Sequence, residues 1–495
     1  MDTMVTLSRV FAGQKVSDAL FELGIPFSMP CGGAGQCGRC RVVLLDGEVC
    51  DRNGSRILPD GNGEIFACRA FVGENGCRVS IPSWEGVTRD FAAGERAENA
   101  RLAVALDIGT TTVSAALVEL DTRRVLGYAS ALNPQAAFGA DVMRRIEAAT
   151  NGHLTALRAC LLQTVCALSA ELLGAGNRGE ALTVVGNPTM LHLFCGISPE
   201  GMGQYPFTPT FLEARRYSGK EFGLPFDRVA LLPSASAFVG SDVMAGVYAL
   251  GMAESDVTAL LLDLGTNGEM ALWHKGRLFT ASCAAGPAFE GGEISMGMGG
   301  VGGAVSRVAC VDGGYRYQTV GDLPARGICG AGLCDLVALL LDSGLIDASG
   351  YLATPYRLRG AHETEKGVLP PSPTAVVITP EDIRKLQLAK AAVSAGLALL
   401  LKAAGVSACE VERLYLAGGF GYYLSPDSAD RIGLLPEGLV RKALPVGNTA
   451  LRGAVMSVLD DGAVGAIERI IQKTDPVSLA EHPDFSDAFT RAIPF

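Results

Sequence analysis

The sequence has little of what marks nucleic-acid-binding, secreted or membrane proteins. Its 41 Lys and Arg residues are outnumbered by 52 Asp and Glu residues, and the net charge of -11 disfavours non-specific contact with a nucleic-acid backbone. Residues 1–20 contain no basic segment followed by an apolar run, so no secretion signal is predicted. No apolar stretch is predicted to reach the length that spans a bilayer. We therefore expect a cytoplasmic protein that binds neither nucleic acid nor membrane.

Polar tracts that indicate disorder are also missing, and 48% of the 495 residues are hydrophobic. A chain of this length is expected to form two to four domains. Residues 1–82 are predicted to form a short-stranded α+β domain, with a first strand at 5–10 and a helix at 16–23. Residues 83–100 are polar and predict a linker. Longer apolar strands begin beyond it.

Fourteen cysteines are spread unevenly, with six in the first 77 residues. Without a secretion signal they are better explained as metal ligands or buried thiols than as disulfides. Three lie in one glycine-rich loop, spaced Cys31-x₅-Cys37-x₂-Cys40, and Cys68 follows an apolar strand. Thiolates converging from such a loop suit an iron–sulfur cluster, because glycine lets backbone N–H groups approach the sulfur atoms. We predict a [2Fe–2S] cluster on Cys31, Cys37, Cys40 and Cys68.

Alternatives for this site stay open. A structural zinc ion also uses the Cys-x₂-Cys spacing, although zinc sites usually contain two such pairs and this loop supplies one. The first gap is one residue longer than in plant-type ferredoxins. Cys50 and Cys77 are alternative fourth ligands, and ordinary buried or surface thiols are the simpler interpretation of both.

A short motif occurs twice, each time between two apolar strands. It reads Asp107-Ile-Gly-Thr-Thr-Thr112 in the first copy and Asp263-Leu-Gly-Thr-Asn-Gly-Glu269 in the second. Glycine allows backbone N–H groups to approach phosphate oxygens, and threonine hydroxyls add donors. The two Asp residues could hold a hydrated Mg²⁺, and Asp263 or Glu269 could orient an attacking water. The alternative is a pair of hairpin turns whose Asp residues cap local N–H groups.

A third motif, Leu414-Tyr-Leu-Ala-Gly-Gly-Phe-Gly421, is an apolar strand running into glycines that are expected to open a helix. Such a corner can lie flat against an adenine and ribose. The three motifs follow the order that an ATP cleft needs. The predicted nucleotide-binding residues are Gly109, Thr110, Thr111, Thr112, Gly265, Thr266, Asn267, Gly268, Gly418 and Gly419, and the predicted catalytic residues are Asp107, Asp263 and Glu269.

These motifs resemble those of the acetate and sugar kinase, heat-shock chaperone and actin superfamily, whose two RNase-H-like lobes clasp ATP and Mg²⁺. Together with the cysteine loop, they make the chain similar to the reductive activators of corrinoid proteins, from residue 31 onwards. Further matching stretches are Asn133-Pro-Gln135, Phe138-Gly-Ala-Asp-Val142, Gly186-Asn-Pro-Thr-Met-Leu-His192, Ala285-Gly-Pro-Ala-Phe-Glu-Gly291, Gly327-Ile-Cys-Gly330 with Asp335, Leu388-Ala-Lys390, Gly447-Asn448 and Gly453-Ala454.

The resemblance implies an α/β fold in three parts. These are a β-grasp ferredoxin-like domain (1–82), ATPase lobe I (101–250), and ATPase lobe II (251–495), whose C-terminal end returns to lobe I. It also implies an ATP-dependent reductase that returns the Co(II) of a corrinoid protein in a methyltransferase system to Co(I). The implied cofactors are a [2Fe–2S] cluster, ATP and Mg²⁺. The implied partners are that corrinoid protein, a low-potential electron donor and a second copy of the chain. Family members often have a longer segment between cluster and ATPase domains than residues 83–100 provide.

Several assignments stay open. The loop 282–291 is a candidate contact with the corrinoid protein, or a connector. Cys329 and Cys334 could hold a subunit-bridging [4Fe–4S] cluster, as in activators of 2-hydroxyacyl-CoA dehydratases, although their apolar surroundings favour buried thiols. Asp335 is expected to begin a helix, and His192 to be a core histidine. A small-molecule kinase with a redox-sensing ferredoxin domain is the last alternative, although no polar sugar-binding cluster separates the phosphate motifs.

Overall fold

The computed structural model describes residues 3–22, 41–59, 63–81, 100–139, 141–174, 176–300, 302–311, 314–364, 367–369 and 376–495. The predicted cluster ligands Cys31, Cys37 and Cys40, and the predicted linker except for Ala100, lie outside these residues. The elements of the N-terminal part are β1 (Thr3–Leu7), α1 (Val16–Glu22), β2 (Arg41–Cys50), β3 (Glu64–Phe66) and β4 (Phe71–Ile81).

Strands β1 to β4 pair antiparallel in the order β1-β4-β2-β3. Alternate strand residues bury one face of the sheet, so Leu7 and Val79 share a core with Leu20 of α1. The predicted first strand is wrong at its end, because it stops at Leu7 and Arg9–Phe11 forms a 3₁₀ turn. Val10 is 83% exposed on that turn, so its apolar side chain does not continue the strand's buried face.

Lobe I begins where the apolar sequence begins. It contains a six-stranded sheet with the strand order β7-β6-β5-β8-β10-β9, in which β5, β8 and β10 are parallel and the other pairs are antiparallel. The elements are β5 (Leu102–Ile108), β6 (Thr112–Glu119), β7 (Arg124–Leu132), α2 (Val142–Ala148), α3 (Leu154–Leu173), β8 (Gly179–Gly186), α4 (Pro188–Cys195), β9 (Arg215–Ser218), β10 (Phe226–Leu231) and α5 (Ser241–Ala249).

Lobe II repeats this plan around a sheet in the order β22-β21-β11-β12-β13-β23. The elements are β11 (Ala259–Leu264), β12 (Gly268–His274), β13 (Arg277–Cys283), β14 (Ala304–Val311), β15 (Gly314–Thr319), β16 (Gly327–Ile328), α6 (Gly330–Asp342), β17 (Tyr356–Arg357), β18 (Ala361–Thr364), β19 (Gly367–Leu369), β20 (Val377–Ile378), α7 (Pro380–Ala404), β21 (Arg413–Ala417), α8 (Gly418–Tyr423), α9 (Pro426–Arg431), β22 (Ala443–Gly447), α10 (Thr449–Leu459), α11 (Ala463–Ile471), β23 (Thr474–Pro476) and α12 (Phe485–Ala492).

The internal sequence repeat is a structural repeat. The strand order β7-β6-β5-β8-β10 of lobe I corresponds to the order β13-β12-β11-β21-β22 of lobe II. Lobe I adds the edge strand β9 beside β10, and lobe II adds β23 beside β13. The first two strands of each lobe form a hairpin whose tip carries the repeated motif. Asp107 lies opposite Ser114 in lobe I, and Asp263 lies opposite Glu269 in lobe II. Between β13 and α7, lobe II also inserts a second sheet in the order β16-β14-β15-β18-β19.

One of the buried hydrophobic clusters spans both lobes. Ala105 and Val185 of the lobe I sheet belong to the same buried cluster as Leu261 and Tyr415 of the lobe II sheet, with α5 and α10 also in that cluster. The two helices pack closely because Gly453 has no side chain; a Cβ there would lie 2.1 Å from the Ala245 carbonyl oxygen. The lobes are therefore joined through packed apolar side chains as well as through the chain itself.

Two apolar helical segments are longer than we predicted from the sequence. By length and composition, Val142–Leu173 and α7 are each able to cross a membrane. The predicted absence of such a stretch is therefore wrong. In α7, 72% of the apolar window is buried inside the protein, compared with 33% in Val142–Leu173. Helices buried in a protein core have the same composition, and α7 lies in the lobe II core.

Candidate nucleotide-binding site

The two hairpin tips face each other across a cavity of about 500 Å³ between the lobes. All of the predicted catalytic residues and all but one of the predicted nucleotide-binding residues line it. The exception is Gly268, where a Cβ would lie 2.9 Å from the sulfur of Cys283 and 3.0 Å from Val393. Gly268 therefore serves close packing behind the second tip.

Each tip is held by a bond within its own turn. The Gly109 N–H donates to the Thr112 carbonyl (2.9 Å), and the Gly265 N–H donates to the Asn267 carbonyl (3.0 Å). The hydroxyl oxygens of Thr111 and Thr266 lie 2.9 Å apart. One hydroxyl from each lobe therefore lies at a single point in the cavity, close enough for both to contact one phosphate group.

Four partly buried carboxyl groups line this cavity. Burial raises the pKa of Asp107 to about 7 and that of Asp263 to about 8, with neighbouring carboxylates adding to both shifts. Burial also raises the pKa of Asp242 to about 6 and holds the pKa of Glu269 well above its usual range. Such a concentration of buried acid favours a cation.

The arrangement fits a magnesium ion that keeps most of its water. Among the described residues, no three His, Cys, Asp or Glu side chains converge closely enough to hold a metal by themselves. Mg²⁺ is usually held by one or two carboxylates together with substrate phosphates and water. Asp107 also accepts a hydrogen bond from the Asn448 amide (2.8 Å), which fixes one of the candidate carboxylates.

The first hairpin tip is supported from behind by side chains that the sequence had not singled out as site residues. Arg145, 1% exposed, donates to the carbonyl of Thr110 (2.6 Å). Asn133 donates to the Gly109 carbonyl (2.9 Å), and Asn187 donates to the hydroxyl of Thr110 (3.2 Å). The stretches around Asn133, Arg145 and Asn187 thus meet at one turn although they lie far apart in the chain.

Glu290 is a further residue that the sequence reasoning missed. It ends the 3₁₀ turn Pro287–Glu290, and its carboxylate accepts hydrogen bonds from Thr111 (2.9 Å) and Thr266. Like Asp242 and Asn448, it lines the cavity. The stretch 285–291 was recognisable in the sequence, but nothing local showed that its glutamate reaches both tips.

The third motif forms the predicted strand and helix. Strand β21 ends at Ala417, and α8 starts at Gly418, whose φ of +82° favours glycine. A Cβ at Gly418 would lie 2.5 Å from an Asp263 carboxylate oxygen, so this corner packs directly on the second phosphate turn. Gly419 has no atom near its Cβ position and lines the cavity.

Of the four predicted cluster ligands, Cys68 lies within the described residues. It is 4% exposed in the turn that follows β3. The alternative ligand Cys77 is also buried, and burial raises its pKa to about 11, which disfavours the thiolate that a metal needs. Cys50 is partly exposed at the end of β2. The role of Cys68 as a cluster ligand stays a prediction.

Three other assignments are decided by the structure. Cys329 and Cys334 are 6% and 0% exposed, so the expectation of buried thiols is confirmed. His192 is confirmed as a core histidine, because its Nδ1 lies 2.7 Å from the Pro188 carbonyl oxygen and its Nε2 accepts the Thr210 N–H (3.1 Å). The expectation for Asp335 is wrong: α6 begins at Gly330, and Asp335 is buried within the helix.

Asp335 has a structural role instead. It forms an ion pair with Arg307 (3.5 Å) and accepts hydrogen bonds from the Ser428 hydroxyl (2.6 Å) and the Val308 N–H (3.2 Å). These partners come from β14 and the α9 region, so the carboxylate ties three elements of lobe II together.

Comparison with known proteins now decides the family. The chain is 33% identical to the corrinoid activation enzyme RamQ of Eubacterium limosum over 566 aligned positions, which cover 96% of this chain and 95% of that protein. The chain belongs to the RACo family of reductive activators of corrinoid proteins. Within it, residues 7–73 match a 2Fe-2S iron-sulfur cluster binding domain, residues 102–255 the RACo middle region, and residues 257–495 the C-terminal ASKHA domain of RACo.

Two further proteins extend the comparison. A Methanosarcina barkeri protein described as a reductase of a Co(II) methylated amine-specific corrinoid protein is 26% identical, covering 78% of this chain and 75% of that protein. The solved structure of a reductive activator for a corrinoid, iron-sulfur protein superposes with a TM-score of 0.74 at 29% identity, covering 99% of this chain and 96% of that one. The predicted family and the predicted fold class are thus confirmed.

Proposed function

We propose that this chain reduces the Co(II) of a corrinoid protein in a methyltransferase system to Co(I), at the expense of ATP. One electron from a low-potential donor reduces one Co(II), and ATP is hydrolysed to ADP and phosphate. The observation that carries the proposal is a juxtaposition: Thr111 and Thr266 bring hydroxyls from two lobes within 2.9 Å, in a chain that also matches a 2Fe-2S domain.

In this proposal the described residues have distinct tasks at the nucleotide. The two tips supply N–H and hydroxyl donors to the phosphates, and the α8 corner receives the adenine and ribose. Asp107 and Asp263 hold hydrated Mg²⁺, and Glu269 or Asp263 orients the attacking water. A partly buried carboxyl with a raised pKa is suited to accept a proton near neutral pH.

The cluster domain supplies single-electron chemistry when its cluster is bound. We propose a [2Fe–2S] cluster on Cys31, Cys37, Cys40 and Cys68, supported by the spacing of the cysteines and by the 2Fe-2S domain match over residues 7–73, which includes all four. We also propose a cytoplasmic location and a homodimer formed through the ATPase part, in keeping with the family. Sedimentation of the purified protein tests the dimer.

The decisive experiment uses anaerobically purified full-length protein, a low-potential reductant and a cognate corrinoid protein held as Co(II). Visible absorption should show Co(I) forming when ATP is added and no comparable formation with ADP. Formation of Co(I) at the same rate without ATP, with every cognate partner tried, would contradict the proposal.

Cysteine variants test the electron path separately. Cys68→Ser should lower the iron content and abolish ATP-dependent reduction, whereas Cys50→Ser, the matched control in the same domain, should retain both. Iron counting should give two atoms per chain. Four atoms bridging a dimer would instead favour an activator of the 2-hydroxyacyl-CoA dehydratase type.

A further inference from the structure

One carboxylate oxygen of Glu290 serves hydroxyl groups from both lobes. Its Oε2 accepts from Thr111 of the lobe I tip at 2.9 Å and also from Thr266 of the lobe II tip. Both threonines have further neighbours in the cavity, but each hydroxyl has a single hydrogen to donate. While both hydrogens point at Glu290, neither hydroxyl can donate to a phosphate.

The turn that carries Glu290 is also anchored to the adenine corner, the junction at residues 417–420 where β21 runs into α8. The ring of Phe289 stacks on Phe420 of α8, with ring centres 4.6 Å apart and planes 22° from parallel. A Cβ at Gly330 would lie 2.0 Å from the Phe289 carbonyl oxygen, so the start of α6 also presses on this turn. The turn Pro287–Glu290 therefore touches both phosphate tips and the adenine corner.

Glu290 and a terminal phosphate need the same two donors and have the same sign of charge. Binding of the phosphate to these hydroxyls must break the hydrogen bonds to Glu290, and the two anions then repel each other in a site of low dielectric constant. Occupation by one therefore excludes the other.

We propose that Glu290 is an internal competitor of the terminal phosphate of ATP, and that its displacement releases the loop 284–291 from the two hairpin tips. This inference rests on the proposed function and adds a device that couples nucleotide to the loop. A diphosphate, whose chain is one phosphate shorter, leaves the contact of Glu290 with Thr111 and Thr266 in place. The loop is thereby held after hydrolysis and released by the next ATP.

The first test measures nucleotide affinity by titration calorimetry with ADP and with the non-hydrolysable β,γ-imido analogue of ATP. Glu290→Gln removes the competing charge, and Glu290→Ala removes the competitor altogether. Both should bind the triphosphate about tenfold more tightly than the unmodified chain, with a smaller change for ADP. Glu293→Gln changes an exposed glutamate three residues further along the chain; it is the matched control and should leave both affinities unchanged.

The second test needs no variant. Hydrogen exchange of the peptide spanning 284–292 should rise when the triphosphate analogue binds the unmodified protein and should stay unchanged with ADP. In Glu290→Ala the exchange should be fast without any nucleotide. Equal or weaker triphosphate affinity in Glu290→Gln, or unchanged loop exchange on triphosphate binding, would overturn the inference.

These measurements separate the inference from the proposed function. They require neither a corrinoid protein nor an electron, so the Glu290 competition can fail while ATP-dependent reduction of Co(II) still succeeds. Loss of ATP hydrolysis in Glu290→Gln without a gain in triphosphate affinity would assign the residue to catalysis and refute its role as a competitor.

Discussion

Two glycine substitutions at the junction between β21 and α8 test how tightly this corner is packed on the second hairpin tip. Gly418 and Gly419 are neighbours in sequence but differ sharply in surroundings. At Gly418, φ is +82°, and a Cβ would lie 2.5 Å from an Asp263 carboxylate oxygen and 2.6 Å from the backbone oxygen of Leu264. At Gly419, no atom lies within 4 Å of the Cβ position.

These distances determine how much each alanine substitution should change the free energy of unfolding. Alanine in the left-handed region costs about 1–2 kcal/mol, and a methyl group forced against backbone atoms costs about 1–3 kcal/mol more. Gly418→Ala should therefore reduce the free energy of unfolding of lobe II by about 2–5 kcal/mol. Gly419→Ala replaces glycine within a helix in open space, and should be neutral or stabilising by up to about 1 kcal/mol.

The chain offers a local reporter for this comparison. Its two tryptophans are Trp84 and Trp273, and Trp273 is 3% exposed in β12, one strand away from Asp263. In a Trp84→Phe background, the emission of Trp273 during urea unfolding follows the lobe II sheet. Equal unfolding midpoints for Gly418→Ala and Gly419→Ala would refute the packing argument.

Three further predictions concern buried charge and helix packing. Arg145→Met should weaken ATP binding about tenfold in calorimetry, while the free energy of unfolding should change by less than about 2 kcal/mol. The variant loses the hydrogen bond to Thr110, which stabilises by about 1–3 kcal/mol, but it also no longer buries a guanidinium whose pKa burial lowers to about 10. A collapse in stability would contradict this. Burial also lowers the pKa of Lys390 from 10.5 to about 8, so the folded state binds fewer protons than the unfolded state between these values and stability should rise with pH across that window. Denaturant titrations should show this rise, about 3 kcal/mol in all, in the parent and not in Lys390→Met. Gly453→Ala should lower the melting temperature by several degrees, since its methyl group meets the α5 backbone, whereas Gly465→Ala on α11, which meets a flexible arginine tip at 3.5 Å, should not.

Much of the site could be predicted because its motifs are local. A strand, a glycine turn and a second strand determine a hairpin tip within a dozen residues, so the residues at 107–112 and 263–269 were recognisable by chemistry and repetition. The strand and helix of the third motif were recognisable for the same reason. These elements lie in the cavity as expected, apart from Gly268.

The residues that escaped prediction act over long separations. Asn448 bonds to Asp107 across 341 positions of sequence, and Glu290 reaches Thr111 across 179. Arg145 supports a turn 35 positions away. Such contacts depend on how the lobes pack, and a single sequence contains no local pattern for them. The end of the first strand was missed for a simpler reason: Val10 is apolar but exposed on a turn.

The core shared by the lobes limits how the molecule can be divided. A cut near residue 256 looks natural from the internal repeat, yet α10 packs against α5 and against β5 and β8 on the other side of that cut. A separately produced second half would expose this apolar face to water and should aggregate. Dissection by expression of single lobes is therefore unsuited to this protein, and circular permutants or paired co-expression of both halves are better starting points for engineering it.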